Sequence, residues 1–432
     1  MRTNSVWKEF FHHTLPSTAG MFGLSCYILA DTFFIAQALG ANGLTALNLA
    51  IPVYSFIHGT GLMLGMGGAT RCSILRHQRE ETRAQQVYTH TLLLGVVFAL
   101  CFFLCGLFGA DAITRMLGAD EAVFDLTRTY LRVLLLFAPL FLLNEIMLPF
   151  VRNDGAPKLA MLGLLGSSLS NIVLDYLFIF PLDLGIFGAV LATSIAPTVS
   201  LLLLSPFLLS GKRSFHLVRC PFRPRVCGMI LTLGLPSLVA EVSAGVVMIV
   251  FNGIILSLCG NLGVAAYGVV SNIALVVTAV YTGIAQGIQP PLSQSFGSGD
   301  QARIQGLLRC ALTSALAVSM MLYALIFLAA SPIAAVFNSQ GDPLLQQMAA
   351  EGLRWYFTSC FFIGINVVLA VYFSSTDRSR PANAISLLRG LFLPVPMAFL
   401  LAALGGMDGL WLAVTVTELL VSILGSVFYR KA

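Results

Sequence analysis

The feature that most restricts this chain is a succession of apolar stretches, each about 20 residues or longer, separated by short polar connections. Stretches of that length span the hydrocarbon core of a bilayer. In lipid, every backbone N–H and C=O must find its partner within the segment or in a closed barrel. The apolar stretches are continuous and not alternating, so a barrel is excluded and helices remain. Twelve are expected, at 14–38, 46–71, 88–109, 126–150, 158–181, 185–209, 228–257, 263–291, 305–329, 346–373, 382–404 and 408–429. Only 10% of the 432 residues are charged, against about 25% in a soluble protein, which also excludes disorder, coiled coil and nucleic-acid binding. Nine cysteines form no CxxC or His/Cys ligand spacing, so neither a disulfide framework nor zinc nor any other cofactor is expected.

The basic residues fix an orientation. Twenty of the 24 Lys and Arg fall in one set: the two ends (Arg2, Lys8, Arg430, Lys431) and the even-numbered connections, such as Arg71 to Arg83, Arg152 and Lys158, Lys212 to Arg225, and Arg378 to Arg389. The other set holds only Arg115, Arg128, Arg132 and Arg354. This positive-inside asymmetry places both termini in the cytoplasm, and residues 1–13 read as a retained cytoplasmic leader.

The chain also repeats itself. A shift of 220 residues pairs Leu15-Pro16-Ser17 with Leu235-Pro236-Ser237, Gly40 with Gly260, Gly67 with Gly287 and Ser73 with Ser293. Offsets of 222 to 224 pair Asn144 with Asn366, Pro157 with Pro381 and Thr193 with Thr417. The expected architecture is all-α and membrane-integral: two pseudo-symmetric lobes of six helices, 1–215 and 216–432, facing a V-shaped central cavity. The longest polar connection, Gly211 to Arg225, joins them.

Five acids fall inside the expected helices: Asp31, Glu145, Asp175, Glu241 and Glu418. A charge in hydrocarbon is expensive and usually functional. Asp31, Asp175, Asn171 (one turn before Asp175) and Thr193 all lie at one depth in the outer leaflet of the first lobe. Oxygen ligands of this kind suit a sodium ion or a proton; the competing reading is a polar cluster that only fixes helix packing. The repeat sets Phe251 and Phe399 opposite Asp31 and Asp175, so the second lobe lacks this acidic layer. Glu241 and Glu418, nearer the midplane, are candidates for cationic substrate or a second proton, with Asn144 and Asn366 as neighbours. Glu145 is expected near the cytoplasmic end of helix 4, beyond Pro139, either in an inner vestibule or solvated. His58 reads as a packing residue in preference to a proton shuttle. Gly59, Gly61, Gly65, Gly67 and Gly68 suit either a hinge or close helix packing. Pro139, Pro197, Pro290 and Pro394 are expected kinks.

Several stretches carry a resemblance. FVRNDGAPKLAMLGLLGSSLSNIVLDYLFIF (150–180), LGIFGAVLATSIA (184–196), LADTFFIAQALG (29–40), GLMLGMGGATRCSI (61–74) and GIAQGIQPPLSQSFGSGD (283–300) resemble helices 5, 6, 1, 2 and 8 of the multidrug and toxic compound extrusion (MATE) family. The resemblance implies a cation-driven antiporter that expels organic compounds. It also implies that Asp31, Asn171, Asp175, Thr193 and the carbonyl of Ala189 match the family's first-lobe cation site. A helix 10 acid found in one subgroup is absent, with Asn366 in that neighbourhood.

The combined expectation is a monomeric secondary antiporter of the bacterial inner membrane, surrounded by lipid. It exports small organic, often cationic molecules by alternating access in exchange for Na+ or H+. A flippase for lipid-linked precursors is the nearest alternative, but it needs a cationic cavity. A membrane-embedded transferase needs clustered Asp-rich or His/Asp motifs, which are missing, and no nucleotide-binding loop is present. The topology is open to direct test. Cysteines placed at Ala119 and Asp342 are expected to react with an impermeant thiol reagent from outside, and those at Gln78, Ser214 and Ser379 only from the cytoplasm. Outside labelling at Ser214 would break both the helix count and the repeat.

Overall fold

The structure, a computed structural model, describes residues 3–211, 213–338 and 342–431; Arg2 and Lys212 of the basic set lie outside them. Its helices are α1 (Val6–Gly40), α2 (Asn42–His77), α3 (Glu81–Met116), α4 (Phe124–Leu136 and Ala138–Asn153), α5 (Pro157–Ile179), α6 (Gly185–Leu209), α7 (Pro224–Gly260), α8 (Leu262–Gly297), α9 (Gln301–Leu328) and α10 (Pro343–Ser375). They end with α11, made of Ser379–Leu387, a π turn at Leu388–Phe392 and 394–405, and α12, 407–430. By length and hydropathy alone, 10 helices among the described residues can cross a membrane, or 11 with the bent α4 counted as one span. The twelfth emerges because the helix Pro394–Arg430 breaks at Gly406 (φ 57°, ψ −133°).

Two of these breaks are repeat mates. Gly40 (φ 60°, ψ −148°) joins α1 to α2, and Gly260 (φ 65°, ψ −159°) joins α7 to α8. That backbone region is almost closed to any residue with a Cβ. A single glycine thus replaces the seven-residue connection expected between helices 1 and 2. The α4 helix bends by 51° at Phe137, just before Pro139, where the ring removes a backbone donor. A short helix at Ala330–Phe337 follows α9 and was not foreseen.

The two halves meet chiefly through α1 and α2 against α7 and α8. Their backbones touch. A Cβ built on Gly234 would lie 1.8 Å from the Met63 carbonyl oxygen, and one on Gly67 would lie 2.0 Å from that of Ile230. The symmetry-related contact sets Gly287 against Thr14, with 2.5 Å from a built Cβ to the Thr14 Cα. Gly67 and Gly287 are repeat mates, as are Ser73 and Ser293. The two serines hydrogen-bond to each other at 3.0 Å, which marks the pseudo-twofold axis. Around them, Gln289 Nε2 donates to Thr70 Oγ1 at 2.5 Å, Arg152 donates to Gln286 Oε1 at 3.0 Å, Arg71 pairs with Asp377 at 2.7 Å, and Arg303 pairs with Glu9. All of these contacts lie at the end that carries the basic connections. Arg152 itself is buried, so its place among the basic loop residues is corrected: it lies inside the seal between the halves.

The connection from α6 to α7 is pinned to the first half. Phe215 is buried and packs on Tyr88 and Phe150, with ring centroids at 4.9 and 5.4 Å. Asp154 accepts from Ser214 N at 2.8 Å and from the Ser214 hydroxyl. Val218 N donates to Thr89 Oγ1 at 3.1 Å, and Arg223 N donates to His90 Nε2 at 3.0 Å. A division after residue 215 falls inside this strap. If the glycine contacts set the approach of the halves, Gly234→Ala is expected to lower stability by about 1–3 kcal/mol through overpacking, seen as a lower melting temperature in detergent. It should also reduce cross-linking between cysteines at Thr70 and Gln289. Gly245→Ala, with nothing within 4 Å of its built Cβ, should change neither.

Candidate functional site

The polar residues inside the bundle gather into three groups. In the first, Asp31 comes from α1, Asn171 and Asp175 from α5, and Thr193 from α6, all buried. With the Asn171 amide oxygen facing Thr193, its Nδ2 donates to Asp175 Oδ2 at 3.0 Å and its Oδ1 accepts from Thr193 N–H at 3.2 Å. The Thr193 hydroxyl donates to the Ala189 carbonyl at 3.1 Å. The carboxyls of Asp31 and Asp175 lie within hydrogen-bonding contact of each other. Asp31 Oδ1 and Asp175 Oδ1 are buried without a hydrogen-bond partner. Two facing carboxyls, each with one oxygen left without a donor, are costly as a pair of anions, so the arrangement suits a shared proton or a small cation.

The second group lies between the halves. His58 of α2 places Nε2 3.7 Å from Glu145 Oε2 of α4 and Nδ1 3.5 Å from Glu241 Oε2 of α7. Side-chain exposure is 7% for His58 and 8% for Glu145 but 30% for Glu241, so the cluster is open on the Glu241 side. Glycines make this approach possible. A Cβ on Gly61 would lie 2.6 Å from Glu145 Cβ, and one on Gly59 would lie 3.1 Å from Glu241 Cβ. Asn144 Nδ2 donates to Glu145 Oε1 at 3.1 Å. Tyr54, one turn before His58, stacks on its ring at 5.7 Å and 16° and meets Phe141 edge-on at 5.9 Å. Tyr54 also shares a 2.7 Å hydroxyl bond with Tyr27, one turn before Asp31. Tyr27 and Tyr54 therefore lie between the first group and the second.

The third group belongs to the second half. Glu418 of α12 receives Arg389 Nη2 at 2.9 Å and Nε at 3.2 Å on Oε1. Asn366 Nδ2 donates to Glu418 Oε2 at 2.6 Å, and Ser422 Oγ donates to Asn366 Oδ1 at 3.0 Å. The π turn Leu388–Phe392 brings Arg389 into this position.

One expectation is therefore corrected. Glu145 is buried and not solvated, because the bend at Phe137 carries it beside His58. Glu418 and Asn366 bond to each other and to Arg389, whose guanidinium balances the Glu418 charge, and neither bonds to Glu241, Glu145 or Asn144. Arg389 accordingly lies within α11, on the Glu418 carboxylate. The repeat equivalence also needs repair. Phe251 is buried and stacked on Tyr267 at 5.5 Å, but Phe399 is 58% exposed. The π turn rotates the face of α11, and Ala398 and Ala402 fill the core instead. The contacts that His58, Tyr27 and Tyr54 make across helices were not anticipated. The available signal was the four-residue spacing of each tyrosine from Asp31 or His58, which puts both on one helix face.

The MatE family model matches residues 16–177 and 236–400 of this chain. The Multidrug export protein MepA of Staphylococcus saprophyticus is 25% identical over 417 residues, 96% of this chain and 91% of that protein. The protein of the same name from Staphylococcus aureus is 25% identical over 420 residues, 97% and 92% of the two chains. A solved structure, the outward-facing conformation of a multidrug resistance MATE family transporter of the MOP superfamily, aligns with a TM-score of 0.92 over 99% of this chain and 95% of that one, at 23% identity. At that identity the likeness speaks for the fold alone.

The ion pair of the third group makes a separable prediction. Arg389→Met leaves the Glu418 carboxylate buried without its guanidinium and is expected to destabilise by about 3–5 kcal/mol. Replacing both, as Arg389→Met with Glu418→Leu, should recover much of that loss. Melting curves of the two variants in detergent compare them directly; equal losses would mean that the pair does not act as a unit.

Proposed function

The chain belongs to the MatE family, and from that premise we propose that it is a multidrug exporter in which Na+ or H+ binding at Asp31 and Asp175 drives an organic cation out of the cell. The observation that carries this reading is the facing pair of buried carboxyls, each with an oxygen lacking a hydrogen-bond partner. Asn171, Thr193 and the Ala189 carbonyl supply the remaining oxygens for sodium; a proton needs only the two acids. The cargo site is the space between the halves, where Glu241 and Glu145 provide charge and Tyr54 and Phe141 provide apolar, polarisable faces. Glu418 and Asn366 serve the second half as structure. The chain acts in the bacterial inner membrane as a lipid-surrounded monomer of two lobes, with both termini in the cytoplasm and no further cofactor.

Alternating access fits the seal at the basic end. It consists of glycine contacts, neutral hydrogen bonds such as Thr70 with Gln289 and Ser73 with Ser293, and the exposed or half-buried ion pairs Arg71–Asp377 and Arg303–Glu9. Water replaces such bonds at a net loss of about 1 kcal/mol each, so the seal can open without exposing a large apolar surface. Closed there, the halves face outward. Ion binding at Asp31 and Asp175 is read by the other half through Tyr27 and Tyr54, which reach His58 between the lobes. Reciprocal coupling then lowers cargo affinity when the ion binds.

Asp31→Asn and Asp175→Asn are expected to insert and fold as the parent does, because each removes a buried charge while keeping its shape. Efflux driven by an imposed sodium or pH gradient in proteoliposomes should fall at least about tenfold, the scale of losing a group that holds an ion. Cargo binding without a gradient should persist. Ion-dependent efflux at the parent rate in the double variant would remove the coupling role from these acids. Imposing the two gradients separately distinguishes sodium from proton.

A further inference from the structure

His58 stands where a cargo cation would stand. It is a buried cationic-capable ring held 3.5–3.7 Å from one carboxylate of each half, stacked on an aromatic face at 5.7 Å. Two carboxylates beside the face of Tyr54, which Phe141 meets edge-on, are the surroundings that favour a planar organic cation. The imidazole satisfies them loosely: both ion-pair distances are long, and Nδ1 has no hydrogen-bond partner. A group meant only to tie the halves together would be better bonded. The partial exposure of Glu241 leaves a route by which another cation can reach the same acids.

We propose that His58 is a built-in competitor of cargo: its imidazolium and a planar aromatic cation alternate on Glu145 and Glu241, so that cargo entry expels the His58 proton. This rests on the cargo reading of Glu145 and Glu241 given above and adds the residue that sets its selectivity. When the cation arrives, the Nδ1 or Nε2 proton leaves to water, the neutral ring withdraws from the acids, and net charge in the site is conserved. Neutral cargo gains nothing from the exchange, because it leaves the acids without a counter-charge. The charged and titratable groups around His58 are Glu145 on α4, Glu241 on α7, and Tyr54 on its own helix. Behind them lie Tyr27 on α1, bonded to Tyr54, and Arg152 on α4, within electrostatic reach of Glu145. Of these, only the two glutamates share a direct ion contact with the ring.

The test is calorimetric binding of ethidium, a planar monocation, to the purified full-length protein at pH 6.5 in buffers of different ionisation enthalpy. The wild type is expected to release about one proton per ethidium bound, as linkage requires when a cation displaces a proton. His58→Gln and His58→Asn should each lose that release. They should bind ethidium about tenfold more tightly, within the usual range of coupling between two ligands, with a flatter pH dependence. Wild-type binding without proton release would overturn the proposal, as would undiminished release in either folded variant. Glu241→Gln and Glu145→Gln separate this from the cargo reading. If they leave ethidium affinity intact, the acids are not the cargo site. If they weaken it while the His58 variants match wild type, only the competition fails.

Discussion

The geometry of this protein depends on two backbones being allowed to touch. Where α2 crosses α7, Gly67 and Gly234 leave no room for a Cβ, and the main chains pack directly on one another. That contact sets the distance between the two six-helix halves. It brings Thr70 within reach of Gln289 and Ser73 within reach of Ser293, and one register higher it brings His58 to Glu241. In hydrocarbon there is no hydrophobic force to draw helices together, so close packing of small residues and polar bonds must hold them. The same glycine contact therefore serves as adhesive for the seal and as ruler for the site.

Much of the fold was legible because the bilayer imposes a coarse rule. A segment must be long, apolar and self-bonded, and twelve such segments can be counted without knowing what they touch. The repeat was legible for a similar reason: Gly40 and Gly260 mark the same backbone break in each half, where only glycine fits. Departures came where geometry acts across helices. The bend at Phe137 changes which way Glu145 faces, and depth counted along a straight helix cannot register it. The π turn before Leu393 rotates α11, so Phe399 leaves the face that simple offset assigned to it.

The candidate site was half legible. Asp31, Asn171, Asp175 and Thr193 were grouped by depth, and the structure brings those side chains together. The acids of the midplane were recognised one by one, but their partners were not. Arg389 and Glu418 lie 29 residues apart and meet only through the packing of α11 on α12. A lone histidine in an apolar helix looks the same locally whether it packs or bridges two acids; only the opposing half distinguishes these.

The strap between the halves has a mechanical meaning. It is held to α3 through Arg223, and α7 begins at Pro224. No slack remains between the last anchor and the first turn of α7. A tether of zero length forbids the two bodies from separating at that corner while permitting rotation about it. The strap thus fixes the foot of α7 against α3, so a rotation of one body relative to the other would displace the far end of that helix most.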